Sequence, residues 1–265
     1  MKDLNIFKIQ ESLDFSSNIT LLDTVNSTNT YLMEKGLEGM DDDLCIVIAR
    51  HQTKGYGRNK SKWISDFNAG IWMSIGTVIR KKSNISPLTL AISAGLAEAF
   101  HSKGFTEIGL KWPNDFVCGK KKLGGILIET QPTDRHCLKI TIGIGINIEL
   151  PNSLSEIEVT GLTPTSLHSI KGESFDVSVL IANLITSTHK TIKLFECSGL
   201  DPFLDLWRRY DIYNGWNINV VTNNQEISGI NDGIDDQGAL VVTNQIGDHS
   251  IMSGSIVHIG AERDQ

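Results

Sequence analysis

The sequence predicts two domains: a larger one over residues 1–212, in which strands are interleaved with helices, and a small all-β one over residues 213–265. Three observations carry this. Apolar, β-branched runs recur in the first part with long helical stripes between them. After Tyr213 the texture changes to short alternating segments. The charge divides at the same point: the chain has 24 Lys and Arg against 31 Asp and Glu, a net of −7, and seven acids with one base put −6 of that in residues 213–265. Two charge regimes suggest two folding units.

In chain order, residues 44–49 and 70–75 read as strands of a mostly buried sheet. A helix follows, with Ser86 as cap and Pro87 in the first helical position. Leu88, Ala91, Ile92, Leu96, Ala99 and Phe100 then recur at helical spacing until Gly104 offers a stop. Residues 111–129 have the pattern of a strand, a hairpin turn and a returning strand, and residues 138–144 that of another buried strand. From Asp176 a second helix carries Val177, Leu180, Ile181, Leu184, Ile185, Thr188 and Ile192 on one stripe and ends at Gly199; such a stripe packs into a core. Beyond Tyr213, residues 216–221 and 238–242 alternate between turns rich in Asn, Asp and Gly, the pattern of a small barrel or sandwich. A unit of about 50 residues is near the lower limit of independent stability and is expected to pack on the larger domain. Asn231-Asp232-Gly233 and Asp235-Asp236 read there as solvated turns.

Composition bounds the function. Hydrophobic content of 40% and charged content of 21% belong to a folded protein with ample core. The acidic balance argues against polyanions as bulk partners, whether DNA or an anionic membrane. Residues 1–6 lack the features of a signal peptide, and no apolar run approaches the ~18 residues of a membrane span, so the cytoplasm is the expected compartment. Cys45, Cys118, Cys137 and Cys197 are far apart, with no paired spacing and no histidine at metal-ligand distance in sequence, and are expected to be reduced thiols.

Three segments carry chemistry. Residues 50–62 hold five bases (Arg50, Lys54, Arg58, Lys60 and Lys62) and no acid. Gly55 and Gly57 permit backbone conformations that aim N–H groups at an anion, and Arg58 can add a forked contact. A solvated loop between strands would show the same residues, and the spacing is not that of a P-loop. In the second segment, Lys111-Trp112-Pro113-Asn114-Asp115 is followed by Lys120-Lys121-Lys122-Leu123-Gly124-Gly125. Here Pro113 denies the sheet a donor, so Asn114 and Asp115 either face a cavity or cap a turn, and Lys122 precedes a glycine pair that lets a ligand reach the backbone. The third, Gly143-Ile144-Gly145-Ile146-Asn147, places glycines where close packing or ligand approach requires them.

Together with Asn26-Ser27-Thr28-Asn29 and Gly233-Ile234-Asp235-Asp236-Gln237-Gly238-Ala239-Leu240, these segments stand in the order found in biotin protein ligases, and over residues 20–260 the chain resembles that family. The resemblance implies an α+β fold: a mixed-sheet catalytic domain like that of class II aminoacyl-tRNA synthetases, with an SH3-like β-barrel at the C-terminus. It implies that Mg-ATP activates the biotin carboxylate to biotinyl-5'-adenylate. The biotinyl group then passes to one lysine of a biotin carboxyl carrier domain of acetyl-CoA carboxylase or a related carboxylase. By the same resemblance, Ser27, Thr28, Asn29 and Gln52 meet biotin's polar ring, and Gly55, Tyr56 and Gly57 belong to the loop over it. Gly125 and Gly143 give biotin close access. Arg58 and Lys122 act catalytically, between the biotin carboxylate and the ATP α-phosphate. Trp63 and Asn147 contact adenine, and Lys111, Asn114 and Asp115 serve phosphates, ribose or magnesium; the ligands of magnesium are not assigned.

The chain departs from the family at one point. Gly-Arg-Gly-Arg is usual, and here Gly55-Tyr56-Gly57-Arg58 replaces the first arginine with a neutral aromatic. Tyr56 is expected to act as a lid over biotin, with its hydroxyl as a donor. Some family members carry an N-terminal helix-turn-helix and repress transcription; here the Asn26-Ser27-Thr28-Asn29 segment follows only 25 residues, so no DNA binding or repressor function is expected. Dimers through the central sheet occur in the family, which leaves monomer and homodimer both open. Two alternatives stand beside this reading: a lipoate or octanoate ligase with the same adenylation logic, and a non-catalytic biotin or adenylate sensor.

Overall fold

A computed structural model describes residues 4–35, 44–80, 84–133, 137–150 and 162–262. The first part begins with α1 (Ile6–Glu11), β1 (Ser17–Val25), α2 (Thr28–Lys35), β2 (Leu44–Gln52), β3 (Gly70–Arg80) and α3 (Leu88–Ser102). It continues with β4 (Gly109–Lys111), β5 (Asp115–Cys118), β6 (Lys121–Pro132), β7 (Cys137–Asn147), β8 (Thr163–Pro164), α4 (Leu167–Lys171), α5 (Val177–Ser198) and α6 (Leu204–Tyr210). The strands form one sheet in the order β1-β2-β3-β7-β6-β5-β4, with β8 beside β6. The β1–β2 and β6–β8 pairs are parallel and the others antiparallel, so the sheet is mixed.

Side-chain alternation gives this sheet two unlike faces. On one, Ile46, Ile48, Ile71, Met73, Ile75, Ile142, Ile144, Ile146, Ile126 and Phe116 are buried in the core that also holds the apolar stripes of α3 and α5. On the other, residues paired across the strands are Trp72 with Gly145, Ser74 with Gly143, and Gly125 with both Gly145 and Asp115. Small residues leave that face open, with α2 packed at its β2–β3–β7 side.

Asp176 caps α5 by accepting from the Val179 N–H, and Gly199 ends it, as the sequence predicts. The start of α3 differs. Pro87 itself is the capping residue and no side chain caps the helix; Ser86 instead has its N–H bonded to Asn84 Oδ1. Lacking an N–H, Pro87 leaves no donor to be capped at its own position.

The terminal segments form a second, wholly antiparallel sheet: β9 (Trp216–Val221), β10 (Glu226–Ile234), β11 (Leu240–Asn244), β12 (Gly247–Ile251) and β13 (Ser255–Glu262), in the order β12-β11-β10-β9-β13. As expected, it packs on the larger part. Trp112 Nε1 donates to the Gly238 carbonyl at 3.3 Å, the Tyr213 hydroxyl to that of Gly119 at 2.7 Å, and Lys120 Nζ to that of Ile259 at 3.1 Å. Asn231 corrects the turn reading. It lies within β10 at a register shift, is fully buried, and donates to Asp211 Oδ2 at 3.1 Å, so a residue type usual in turns serves here as a buried connector. Asp235 does form a turn, accepting from the N–H groups of Gln237 and Ala239. None of the four cysteines is in a disulfide. Among the described residues no helix is long and apolar enough to cross a membrane.

Candidate active site

The open face of the large sheet forms a cavity of about 690 Å³, within the range of sites for small ligands. The segment between β2 and β3 folds back over it. Thr53 and Lys54 donate backbone hydrogen bonds to the carbonyls of Val25 and Asn26, and Trp63 returns one to Gly55 at 2.9 Å. Gly55 is required by that return: a Cβ there would lie 2.6 Å from the Trp63 carbonyl oxygen. At the tip, Asn59 and Lys60 hold positive φ values of 53° and 58°, a conformation that side chains other than glycine rarely take.

One end of the cavity is neutral and polar. Thr28 donates its N–H to Gln52 Oε1 at 2.9 Å, and Gln52 Nε2 donates to Ser65 Oγ at 2.8 Å. The buried Ser74 hydroxyl lies 2.7 Å from Thr28 Oγ1 and 2.6 Å from Asn29 Oδ1. Asn29 Nδ2 and the Tyr56 hydroxyl both donate to Glu129 Oε2, at 2.9 and 2.7 Å. The Lys60 ammonium sits 4.1 Å above the Tyr56 ring and 3.5 Å from Glu129 Oε1. Burial raises the Tyr56 hydroxyl pKa above its ordinary value, with the Thr30 hydroxyl pulling it back and Glu129 adding to the rise. The Tyr56 donor is thus engaged by Glu129.

The floor between the ends is glycine. A Cβ on Gly143 would stand 2.5 Å from Asn29 Oδ1, and one on Gly145 would stand 2.9 Å from Trp63 Nε1. The Trp63 indole therefore lies directly on the strand, edge to face with Trp72 at 6.5 Å.

The other end is cationic. Lys122 Nζ is 2.6 Å from Asp115 Oδ1 and Lys111 Nζ is 3.5 Å from Oδ2. Lys111 is almost wholly buried; burial lowers its pKa, Asp115 opposes that, and the charges of Lys122 and Arg58 add to it. Arg58 is lowered by burial, opposed by Asp115, and donates Nη1 to the Gly254 carbonyl at 3.1 Å. Among the described residues the lining includes the cations Arg58, Lys111, Lys120 and Lys122 against one carboxylate, Asp115. Such an excess of positive charge in a partly enclosed site favours anions.

The fold gathers most of the residues singled out in the sequence into this one cavity: Ser27, Thr28, Asn29, Gln52, Tyr56, Gly57, Arg58, Trp63, Lys111, Asn114, Asp115, Lys122, Gly125 and Gly143. Two stand outside its lining. Gly55 supports the loop from behind, and the buried Asn147 donates Nδ2 to the Thr165 carbonyl at 3.0 Å. Sequence reading passed over Ser65, in the segment that folds back after β2, and Ser74 and Glu129, polar residues of β3 and β6 whose partners only the register reveals. It also passed over residues 255–259 of β13, which wall the cavity from the second sheet.

Comparison with known proteins gives consistent matches. The model of the biotin/lipoate A/B protein ligase family matches residues 21–147, and that of the biotin protein ligase C-terminal domain matches residues 215–259. The bifunctional ligase/repressor BirA of Salmonella typhimurium is 32% identical over 240 residues, 90% of this chain and 73% of that protein. The biotin--[acetyl-CoA-carboxylase] ligase of Mycobacterium tuberculosis is 28% identical, over 88% of this chain and 86% of its own length. Among solved structures, the biotin protein ligase of Aquifex aeolicus in complex with biotin and ATP superposes with a TM-score of 0.75 at 26% identity, covering 89% of this chain and 96% of that one.

Proposed function

The chain belongs to the biotin protein ligase family, and from that premise we propose that it activates biotin with ATP and transfers the biotinyl group to a lysine of a carrier protein. One observation carries the reading: a neutral hydrogen-bonding wall and a cationic end share a single cavity. Biotin has that division, with a polar ureido ring at one end and a carboxylate at the other. The carboxylate must meet a triphosphate, so positive charge is needed where two anions approach.

In this reading Ser27, Thr28, Asn29 and Gln52 hold the ureido ring, and Gly125 and Gly143 let the bicycle lie on the strands. Lys122 and Arg58 sit at the junction. There a carboxylate oxygen attacks the α-phosphorus, the bond to the β-phosphate oxygen breaks, and pyrophosphate leaves. Trp63 stacks on adenine, with Asn147 behind it, while Lys111, Asn114 and Asp115 meet phosphates and ribose. The adenylate is a mixed anhydride, so a carrier lysine amine attacks its acyl carbon, AMP leaves, and orientation and deprotonation of the amine are the main requirements. Tyr56, with its hydroxyl held by Glu129, closes the loop by its ring.

Magnesium belongs with the nucleotide. Among the described residues the cavity is lined by one carboxylate, Asp115, and each of its oxygens faces a lysine, so the ATP phosphates would be the ion's main ligands.

Residues 1–212 form the catalytic domain in this reading, akin to the class II synthetase fold, and residues 213–265 an SH3-like domain. The carrier domain of a biotin-dependent carboxylase is the macromolecular substrate, and the cytoplasm is the working compartment. A homodimer, if formed, would pair through the open edge strand β1. No repressor function is included, because a net charge of −7 opposes retention on duplex DNA. The discriminating experiment is pyrophosphate release from ATP with biotin, with lipoate and with neither. Biotin-dependent release supports the proposal, lipoate-dependent release points to the lipoate ligase alternative, and no release with either acid points to the sensor.

A further inference from the structure

Thr28, Ser74, Asn29 and Glu129 form one hydrogen-bonded chain behind the neutral wall, and its direction is set at one end. A carboxylate only accepts, so Glu129 takes the amide nitrogen of Asn29, at 2.9 Å, and turns Asn29 Oδ1 toward Ser74. The Ser74 hydroxyl has a single proton. Given to Asn29 Oδ1 at 2.6 Å, it leaves Ser74 as the acceptor for Thr28 at 2.7 Å. The Thr28 hydroxyl lies 3.1 Å from Gln52 Oε1, which also accepts the Thr28 N–H at 2.9 Å, and 2.7 Å from Ser74 Oγ; its proton goes to Ser74 over the shorter distance. Thr28 Oγ1 is then left with lone pairs to offer the cavity.

Neither Ser74 nor Glu129 is part of the cavity wall. We propose that Glu129 and Ser74 are positioning residues which fix the hydrogen-bond polarity of that wall, so that Thr28 meets a ureido N–H as an acceptor. The inference rests on the biotin reading above and deepens it. Glu129 can do this because three groups hold it: Asn29 and Tyr56 on one oxygen and Lys60 on the other. Gly143 contributes from the floor, since its missing Cβ is what lets the Asn29 amide lie flat between Ser74 and Glu129.

The test is biotin binding by calorimetry, with KM for biotin and for ATP measured in parallel. Glu129→Leu frees the Asn29 amide to rotate, and its Kd and KM for biotin rise about tenfold while KM for ATP stays within about twofold. Glu129→Gln, with one acceptor oxygen for two donors, recovers most of the loss. Tyr56→Phe removes only the loop's hold on Glu129 and costs less than Glu129→Leu. In Ser74→Ala the chain is already cut, so adding Glu129→Leu raises Kd by less than the product of the separate effects. Thermal unfolding reports whether each variant folds; if Glu129→Leu does not, Ser74→Ala carries the test, with the same selective rise in KM for biotin. Unchanged biotin affinity in Glu129→Leu, equal effects of Tyr56→Phe and Glu129→Leu, multiplicative effects with Ser74→Ala, or an equal rise in KM for ATP would each overturn the inference and leave the ligase reading intact. A wild-type chain that does not bind biotin would overturn both.

Discussion

Lys122 Nζ and Asp115 Oδ1 lie 2.6 Å apart across the β5–β6 pair, and a one-residue register shift brings them together. Phe116 faces Gly124 but Val117 faces Lys122, so Leu123 is the extra residue of a bulge. Regular pairing would turn Lys122 to the apolar face of the sheet. The bulge puts it on the same face as Asp115 and Gly125, beside Lys111, where one carboxylate holds two ammonium groups.

Removing the Lys122 charge should leave the two reacting anions to repel each other. Lys122→Met is expected to lower kcat/KM for biotin-dependent pyrophosphate release about 100-fold, a loss typical of a deleted transition-state contact. A variant within twofold of wild type in that assay would remove Lys122 from the reaction.

Asp115→Asn takes away the one nearby charge that opposes the fall in Lys111's pKa. Lys111 then loses its proton at lower pH than in the wild type. The alkaline limb of the pH–rate profile for adenylate formation should therefore move to lower pH, and a limb that stays in place would show that Lys111's charge is not needed.

Gly143→Ala brings a methyl group to 2.5 Å from Asn29 Oδ1 and must displace that side chain. KM for biotin is expected to rise by about one order of magnitude, with KM for ATP nearly unchanged, because the Asn29 bonds to Ser74 and Glu129 are lost. Steady-state kinetics varying each substrate in turn decides this, and an equal rise in both constants would contradict it.

Asp211 joins the two parts of the molecule, accepting from the Tyr213 N–H and from Asn231, and burial pushes its pKa up from 3.8 to about 6 against the pull of those bonds. Because the folded state keeps this proton longer than the unfolded chain does, the stabilising contribution is present below the unfolded value and is lost as pH rises through the folded one. Between those two pH values, urea unfolding of the wild type should lose on the order of 1–3 kcal/mol relative to Asp211→Asn, which has no such proton. Parallel pH dependence in the two proteins would rule Asp211 out as the source.

Much of this architecture is legible in the sequence where periodicity is strong. The runs of β2, β3 and β7 and the stripe of α5 bury continuous apolar surface, and Asp176 and Gly199 mark the ends of that helix. Gly143 and Gly145 stand out because alternation with Ile142, Ile144 and Ile146 leaves a bare face. β1, with its mixed burial and edge position, carries a weak signal. Ser74 and Glu129 are invisible to sequence reading for another reason: neither belongs to a polar cluster with a recognisable pattern, and what each touches depends on register across β3, β7 and β6. The β13 wall lies more than 100 residues along the chain from the loops it faces, and Asn231 is buried because it meets Asp211.

The most direct measurement of the central claim is the intact mass of a biotin carboxyl carrier domain after incubation with the chain, ATP, magnesium and biotin. The expected result is a single biotinyl addition, absent without ATP and lost when the carrier's target lysine is changed to arginine. A carrier of unchanged mass, or one that gains lipoate in place of biotin, would contradict it.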